Sequence, residues 1–201
     1  MGLLDMKKNL MISILMTIAT TVLLGIIYPL VVTGLAQLFF KDKANGQLIV
    51  RNGQVIGSRI IGQAFTGAAY FHSRPSSAGT GYDAANSNGS QLGPTNHALI
   101  DRVKTDVATN QADNPGQPVP IDLVTASGSG LDPDISPAAA EFQVGRVARE
   151  RGASPADLEK LVAAHTLQRQ FGFLGEPRVN VLELNLDLDQ RFPLKKQAEL
   201  R

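Results

Sequence analysis

The sequence predicts an α+β protein in which one N-terminal transmembrane helix is followed by a single mixed soluble domain. Three observations support this: a long uncharged apolar run near the N-terminus, paired helix-start and helix-end signals in the second half, and an alternating apolar pattern around residue 185. About 160 residues follow the run, enough for one domain with its own core. We therefore divide the chain into a short tail (residues 1–8), a transmembrane helix (9–40) and a soluble α+β domain (41–201).

The uncharged run begins at Asn9 and ends at Phe40, a length of 32 residues. About 20 helical residues cross a hydrocarbon core of ~30 Å, so the run is long enough to span a bilayer. A cleaved signal peptide is the alternative, but its apolar region is typically ~7 to 15 residues, and the length favours a retained anchor. We expect Pro29, close to Gly25, to bend this helix because proline removes a backbone donor.

Charge gives a weak signal for the orientation of the span. Two lysines and one aspartate precede it (Asp5, Lys7, Lys8), and the same set follows it (Lys41, Asp42, Lys43). The positive-inside bias is therefore close to a draw. The free α-amino group tips the N-terminus towards the cytoplasm, which would place the soluble domain outside.

Composition and motifs exclude several function classes. Removing Asp5, Lys7 and Lys8 from the 19 basic and 18 acidic residues leaves 17 of each, so nucleic-acid binding has no electrostatic basis. No phosphate loop, zinc-binding His-Glu-x-x-His helix or nucleophile elbow occurs, and we expect no catalytic residue. The three histidines lack metal-ligand spacing, so we expect no metal site: His72, His97 and His165.

Turn signals place the first elements of the soluble domain. The pair Asn52 and Gly53 lies between two apolar runs and predicts a β-hairpin, because both central residues of such a tight turn need positive φ. Residues 79–93 are mainly Gly, Ser, Asn and Ala, so they form either a mobile loop or one ordered by a partner. After Thr95, apolar residues at helical spacing predict a helix to about Ala112.

Capping signals bound two further helices, and a period of two predicts a strand. Ser136, followed by a proline, starts one helix that Gly152 ends, and Ser154, also followed by a proline, starts the next. Four leucines alternate with polar residues and predict a half-buried strand: Leu182, Leu184, Leu186 and Leu188.

Longer strings occur in order along nearly the whole chain: IIGQ at residues 60–63, YFHSRPS at 70–76, GPTN at 93–96, VTASGSGLDPDISP at 124–137 and GFLGEPRVNVLELN at 172–185. Together they resemble the C subunit of the Kdp potassium-transporting ATPase, the KdpC family. The resemblance implies a non-catalytic accessory subunit of an ATP-driven, high-affinity potassium uptake complex. It also implies the bacterial inner membrane. With the orientation that the α-amino group favours, the N-terminus would be cytoplasmic and the soluble domain periplasmic.

The resemblance further implies three partners: a channel-like potassium-translocating subunit, a P-type ATPase subunit and a small single-span subunit. The chain lacks both the DKTG phosphorylation motif of P-type pumps and the TVGYG selectivity filter of potassium channels. It is therefore expected neither to hydrolyse ATP nor to conduct ions alone.

In that family the C subunit is described as a catalytic chaperone that raises the ATP affinity of the pump subunit. A ribose-contacting glutamine beside a small-residue loop would correspond here to Gln143 and to four loop residues: Ser127, Gly128, Ser129 and Gly130. The glutamine lies thirteen residues past the loop rather than directly after it. By themselves, the four loop residues favour a solvent loop over a phosphate-binding nest. No tightly bound cofactor is expected, and ATP would be met only through the pump subunit.

The alternative function is an extracytoplasmic cap, which stabilises the potassium-translocating subunit or shapes ion entry without contacting nucleotide. Its candidate partner contacts are Tyr70, Phe71, Arg74 and Pro75, because aromatic residues and arginine often anchor interfaces. The competing interpretation is that these residues pack the domain itself.

Overall fold

The computed structural model describes residues 3–194. The chain divides into two compact units, Met1–Leu48 and Ile49–Arg201. The first unit is helical, and the second combines helices with short strands. This arrangement confirms the predicted α+β class with one long N-terminal apolar helix.

The first unit is a nearly continuous helix. It consists of α1 (Leu3–Thr20), a π-helical segment (Thr21–Ile27), α2 (Tyr28–Phe39) and the short α3 (Lys41–Ala44). The stretch Asp5–Phe39 has the length and apolar composition of a membrane span. No residue in its most apolar 18-residue section is buried against the rest of the described protein. The Tyr28 N–H donates to the Leu23 carbonyl, five residues back. The π-helical segment thus lies just before Pro29, where a regular α-helix would lose a hydrogen bond and clash with the preceding turn.

A β-hairpin follows, with strands β1 (Leu48–Arg51) and β2 (Gln54–Ser58). Asn52 has φ 52° and Gly53 has φ 75°, so both turn residues adopt the positive φ that the sequence predicted. The predicted hairpin is confirmed.

The three predicted helices are also confirmed: α4 (His97–Asp113), α5 (Pro137–Arg151) and α6 (Pro155–Ala164). The Ser136 side chain accepts from the backbone N–H of Ala139 at the start of α5. Gly152 has φ 63° and ends that helix in the left-handed conformation. The Ser154 side chain caps α6 in the same way, by accepting from the Asp157 N–H.

Three short strands form an antiparallel sheet in the order β3–β5–β4: β3 (Asp134–Ile135), β4 (Thr166–Leu167) and β5 (Arg178–Asn180). Val179 on the central strand lies opposite Ile135 on one side and Thr166 on the other. Val179 is fully buried, so the sheet contributes to the core through its central strand.

The predicted strand over residues 182–188 is wrong, because these residues belong to α7 (Val181–Arg191). The best-buried residues of α7 are Val181, Leu184, Asn185 and Leu188, which follow the i, i+3, i+4, i+7 rhythm of one helix face. Alternating leucines satisfy a period of two as well, and that ambiguity misled the sequence interpretation. The Asn180 side chain accepts from the Glu183 N–H, a capping pattern that marks a helix start.

The core of the second unit lies among α5, α6, α7 and the central strand. Its buried members are mainly Ala, Val and Leu, with Phe71 at 0% exposure from the segment before α4. This segment enters the core between the residues of α5 and α7, and its polar backbone therefore needs partners there.

Candidate functional site: a clamped central segment

Residues 68–74, which overlap the YFHSRPS string at 70–76, are held by side chains from α5 and α7. We call them the clamped segment. Asn185 on α7 is 1% exposed and binds both backbone groups of Phe71. The Phe71 N–H donates to Asn185 Oδ1 at 2.9 Å, and Asn185 Nδ2 donates to the Phe71 carbonyl at 2.9 Å. The side-chain amide of Asn185 thus forms the two backbone hydrogen bonds that a neighbouring strand would otherwise provide for Phe71.

Gln143 on α5 binds the next residue in the same way. The His72 N–H donates to Gln143 Oε1 at 2.8 Å, and Gln143 Nε2 donates to the His72 carbonyl at 3.1 Å. Nε2 also donates to the Ala139 carbonyl, and Oε1 accepts from Arg146 at 2.7 Å. These four bonds use the full capacity of a side-chain amide, and Gln143 is 3% exposed.

Two buried arginines of α5 hold the start of the segment. Arg146 donates to the carbonyls of Ala68 and Tyr70 and forms an ion pair with Asp113 at 3.2 Å. Arg151, whose side chain is fully buried, donates to the Ala69 carbonyl at 2.8 Å. Both guanidinium groups therefore act as donors to otherwise unpaired carbonyls.

Arg151 also fixes the ring of Tyr70. Its guanidinium carbon lies 4.6 Å from the ring centroid, and its Nη1 lies 2.8 Å from Asp189. The Tyr70 hydroxyl donates to the same carboxylate at 3.3 Å. Burial, followed by the charge of Asp189, raises the pKa of Tyr70. The hydroxyl therefore stays protonated at neutral pH and serves as a donor.

The end of the segment is tied to the loop after α4. Arg74 donates to the Thr125 carbonyl at 3.3 Å and to Asp132 at 3.0 Å. The Tyr82 hydroxyl donates to the Arg74 carbonyl. Pro75 is half-buried. The structure thus brings the four proposed partner contacts together, and three of them make specific contacts inside the domain; contact with a partner stays a prediction.

The loop Ser127, Gly128, Ser129, Gly130 is bonded to the glycine-rich stretch of residues 79–93. The Ser129 carbonyl accepts from the Asn88 N–H at 2.9 Å and from the Ser87 hydroxyl at 3.0 Å. Gly130 has φ +67°, and a Cβ there would lie 2.5 Å from the Asn88 oxygen. Two loops of the same chain therefore order each other.

Gln143 and this loop are not joined: within residues 3–194, the hydrogen bonds of Gln143 go to His72, Ala139 and Arg146. A cavity of about 130 Å³ lies beside Gln143, lined also by His72 and Asp113. Ligand pockets usually have ~300 to 1,000 Å³. Burial, with the nearby Arg146 cation, lowers the pKa of His72, so this lining residue is neutral at pH 7.

Sequence reasoning missed Asn185, Arg146 and Arg151, the three polar side chains that do most of the clamping. The strand prediction hid the role of Asn185, because in such a strand the Asn185 side chain would face solvent. Once α7 is a helix, Asn185 interrupts an otherwise apolar face, and a buried amide there signals a backbone partner. The arginines similarly lie on the buried face of α5. No group of three or more His, Asp or Glu residues in the described part of the chain is arranged to hold a metal ion.

Fold and site define a class of protein: one apolar N-terminal helix long enough to span a membrane, with a small α+β domain whose buried polar side chains bind its own backbone. The family described as K+-transporting ATPase, c chain (KdpC) matches residues 10–190. The chain belongs to this family, which makes it an accessory subunit of a potassium-transporting ATPase.

Several relatives are similar over almost their full length. Potassium-transporting ATPase KdpC subunits share 68% identity in Koribacter versatilis, 60% in Acidobacterium capsulatum and 56% in Rhodospirillum rubrum. The alignments cover 94%, 91% and 94% of this chain and 98%, 98% and 99% of the relatives. The resemblance seen in the sequence motifs is confirmed.

Proposed function

We propose that this chain is the membrane-anchored assembly subunit of a high-affinity potassium uptake complex, acting without contact to nucleotide. Its partners are the channel-like potassium-translocating subunit, the P-type ATPase subunit and the small single-span subunit. The complex lies in the bacterial inner membrane, and the soluble domain caps the potassium-translocating subunit on the outer side.

The observation that carries this proposal is the clamped segment. Gln143, Asn185 and Arg151 are each at most 7% exposed, and they bind backbone atoms of the same chain. A catalytic centre needs polar groups that face a substrate, whereas these groups face inward. Their arrangement supports a rigid scaffold, which suits an assembly role.

The same geometry weighs against direct ATP contact at the positions implied by the family resemblance. Gln143 would have to give up four internal hydrogen bonds to reach a ribose, and the cavity beside it holds only about 130 Å³. Each buried polar group left unpaired costs about 1 to 3 kcal/mol. An effect on ATP affinity would therefore pass through the partner subunits as an allosteric coupling, typically ~1 to 3 kcal/mol.

The test is to express the other subunits with and without this chain and to purify what assembles. The complex with the chain should show potassium-stimulated ATPase activity and support growth at low potassium, whereas the complex without it should dissociate or lose both. The chain alone should show no ATPase activity. Full activity and intact assembly in its absence would contradict the proposal.

A photoreactive ATP analogue separates the two mechanisms. We expect no labelling of this chain within the active complex, in the wild type or in Gln143→Ala. Labelling of the wild-type chain that Gln143→Ala abolishes, with the thermal unfolding midpoint unchanged, would instead establish direct nucleotide contact.

A further inference from the structure

The connection between β4 and β5 presents two phenylalanines to solvent. We call residues 169–176 the Phe171 turn. Phe171 is 87% exposed and Phe173 71%, and the neighbouring Leu174 is 47% exposed. Single exposed apolar side chains are ordinary on a protein surface, but three large ones within four residues form a patch of the kind that marks a binding surface.

Hydrogen bonds within the turn fix the backbone that carries these rings. The Gln170 N–H donates to the Leu174 carbonyl at 2.9 Å, and the Leu174 N–H donates back to the Gln170 carbonyl at 2.9 Å. The Gly172 N–H donates to the Arg169 carbonyl at 3.2 Å. A preorganised surface loses little conformational entropy on binding, so the rings are suited to act as anchors.

Phe171 adopts a backbone conformation that its residue type rarely uses. Its φ is 53°, in the left-handed region that favours glycine. Two glycines of the turn, Gly172 and Gly175, also have positive φ, of 82° and 74°. A glycine would therefore fit position 171 with less strain. Unfavourable backbone geometry beneath an exposed aromatic side chain is typical of a binding site rather than of packing.

The charge of the turn restricts what can cover it. Residues 170–175 carry no charged side chain. At the base, Arg169 pairs with Glu176, and Arg178 pairs with Asp134 at 3.0 Å. Attraction to an anionic lipid surface depends on lysine or arginine side chains that face the lipid, and both arginines here are in ion pairs. An uncharged apolar pocket on a protein is the complementary surface.

The size of the patch restricts the occupant further. A phenylalanine buries ~150 to 250 Å², so at their exposures the two rings offer roughly 300 Å². Two copies meeting turn to turn would bury about 600 Å², below the ~1,200 Å² of a stable interface. The patch has the size of one anchor within a larger heteromeric contact.

We propose that the Phe171 turn is a docking element that inserts Phe171 and Phe173 into an uncharged apolar pocket on the extramembrane surface of a neighbouring subunit of the same complex. The inference rests on the proposed function, because it needs a partner subunit. The proposed partner contact is thus the Phe171 turn, whose apolar side chains are exposed, and not the clamped segment. The aromatic and arginine side chains of the clamped segment make their contacts inside the domain.

The experiment places a photocrosslinking benzoylphenylalanine at Phe173 of the full-length chain, in cells that express all subunits. The matched control places it at Ile121, which is 70% exposed on a different part of the domain. We expect a crosslink from position 173 to another subunit and none from position 121. A crosslink from position 173 only to lipid, or only to a second copy of this chain, would overturn the proposal.

Substitution provides the second readout. The double variant Phe171→Ser with Phe173→Ser should keep the thermal unfolding midpoint of the wild type, because both side chains face solvent. It should retain about tenfold less of the partner subunits on purification, as expected for the loss of interface anchors, whereas Ile121→Ser should retain them all. Equal retention by the double variant and the wild type would overturn this inference alone. A wild-type chain that retains no other subunit would overturn the proposed function as well.

Discussion

Replacing Asn185 by leucine tests whether the clamped segment holds the domain together. The two side chains have similar size, but leucine cannot bind the backbone of Phe71. The variant leaves one N–H group and one carbonyl buried without partners, because Asn185 is 1% and Phe71 0% exposed.

The cost follows from these two groups. Each buried polar group left unpaired costs about 1 to 3 kcal/mol, which gives about 2 to 6 kcal/mol for the pair. The additional apolar burial of leucine offsets up to about 2 kcal/mol. We expect a net loss of about 3 kcal/mol, a large part of the ~5 to 15 kcal/mol by which a domain is stable.

The assay is thermal unfolding of the full-length chain in detergent, followed by circular dichroism. A loss of about 3 kcal/mol should lower the unfolding midpoint by about 6 to 12 °C for a domain of this size. Gln190→Leu is the matched control, because Gln190 is an exposed amide on the same helix, and it should change stability by less than about 0.5 kcal/mol. An Asn185→Leu variant as stable as this control would refute the reasoning.

Three further predictions concern other contacts of the same domain. Gly130→Ala should lower the free energy of unfolding by about 1 to 3 kcal/mol, measured with denaturant, because Gly130 has φ +67° and an added Cβ would lie 2.5 Å from a backbone oxygen. Gly128→Ala is the control and should be nearly neutral, because the space around Gly128 is open. Equal effects of the two substitutions would contradict this reasoning. Arg151→Ala should cost about 3 to 5 kcal/mol, because it removes a fully buried guanidinium that donates to the Ala69 and Phe192 carbonyls and pairs with the partly buried Asp189. Lys160→Ala, which removes an exposed ion pair, should cost less than about 1 kcal/mol. Similar losses in the same assay would show that burial is not decisive. Because burial lowers the pKa of His72, the unfolded chain binds more protons, so the free energy of unfolding should fall as pH drops below about 6.5. Unfolding measured across pH 5 to 8 should show a weaker slope in His72→Gln, and an unchanged slope would exclude this histidine as the cause.

Local signals in the sequence predicted local structure well. The hairpin turn at Asn52 depends on residues within about four positions of it. The same holds separately for the start of α5 at Ser136 and for its end at Gly152. Turn and cap geometry is set by such neighbours, so the sequence alone is sufficient to place these elements.

The wrong strand prediction over residues 182–188 shows what local sequence signals cannot decide. Its alternating leucines fit both a strand and a helix face, and the choice depends on what packs against Leu184 and Leu188. The absence of β-branched and aromatic residues from 182–190 favoured a helix and could have corrected the assignment.

The site was predictable only as a set of motifs. Several strings together, including the one at residues 70–76, indicated the family, but not what their side chains contact. Asn185 lies 114 positions from Phe71, and Gln143 lies 71 positions from His72. Such pairings depend on the tertiary fold, so neither composition nor spacing could predict that Phe71 and His72 are held by buried amides.

The central claim, that the soluble domain acts outside the membrane and away from ATP, is tested most directly by side-specific labelling. The chain contains no cysteine, so a single one introduced by Lys160→Cys, at a side chain 78% exposed on α6, reports the location of the domain alone. A membrane-impermeant maleimide should label it in cells whose inner membrane is intact, while the same label at Lys8→Cys should require permeabilised cells. Labelling of Lys160→Cys only after the inner membrane is breached would place the domain in the cytoplasm and contradict the account.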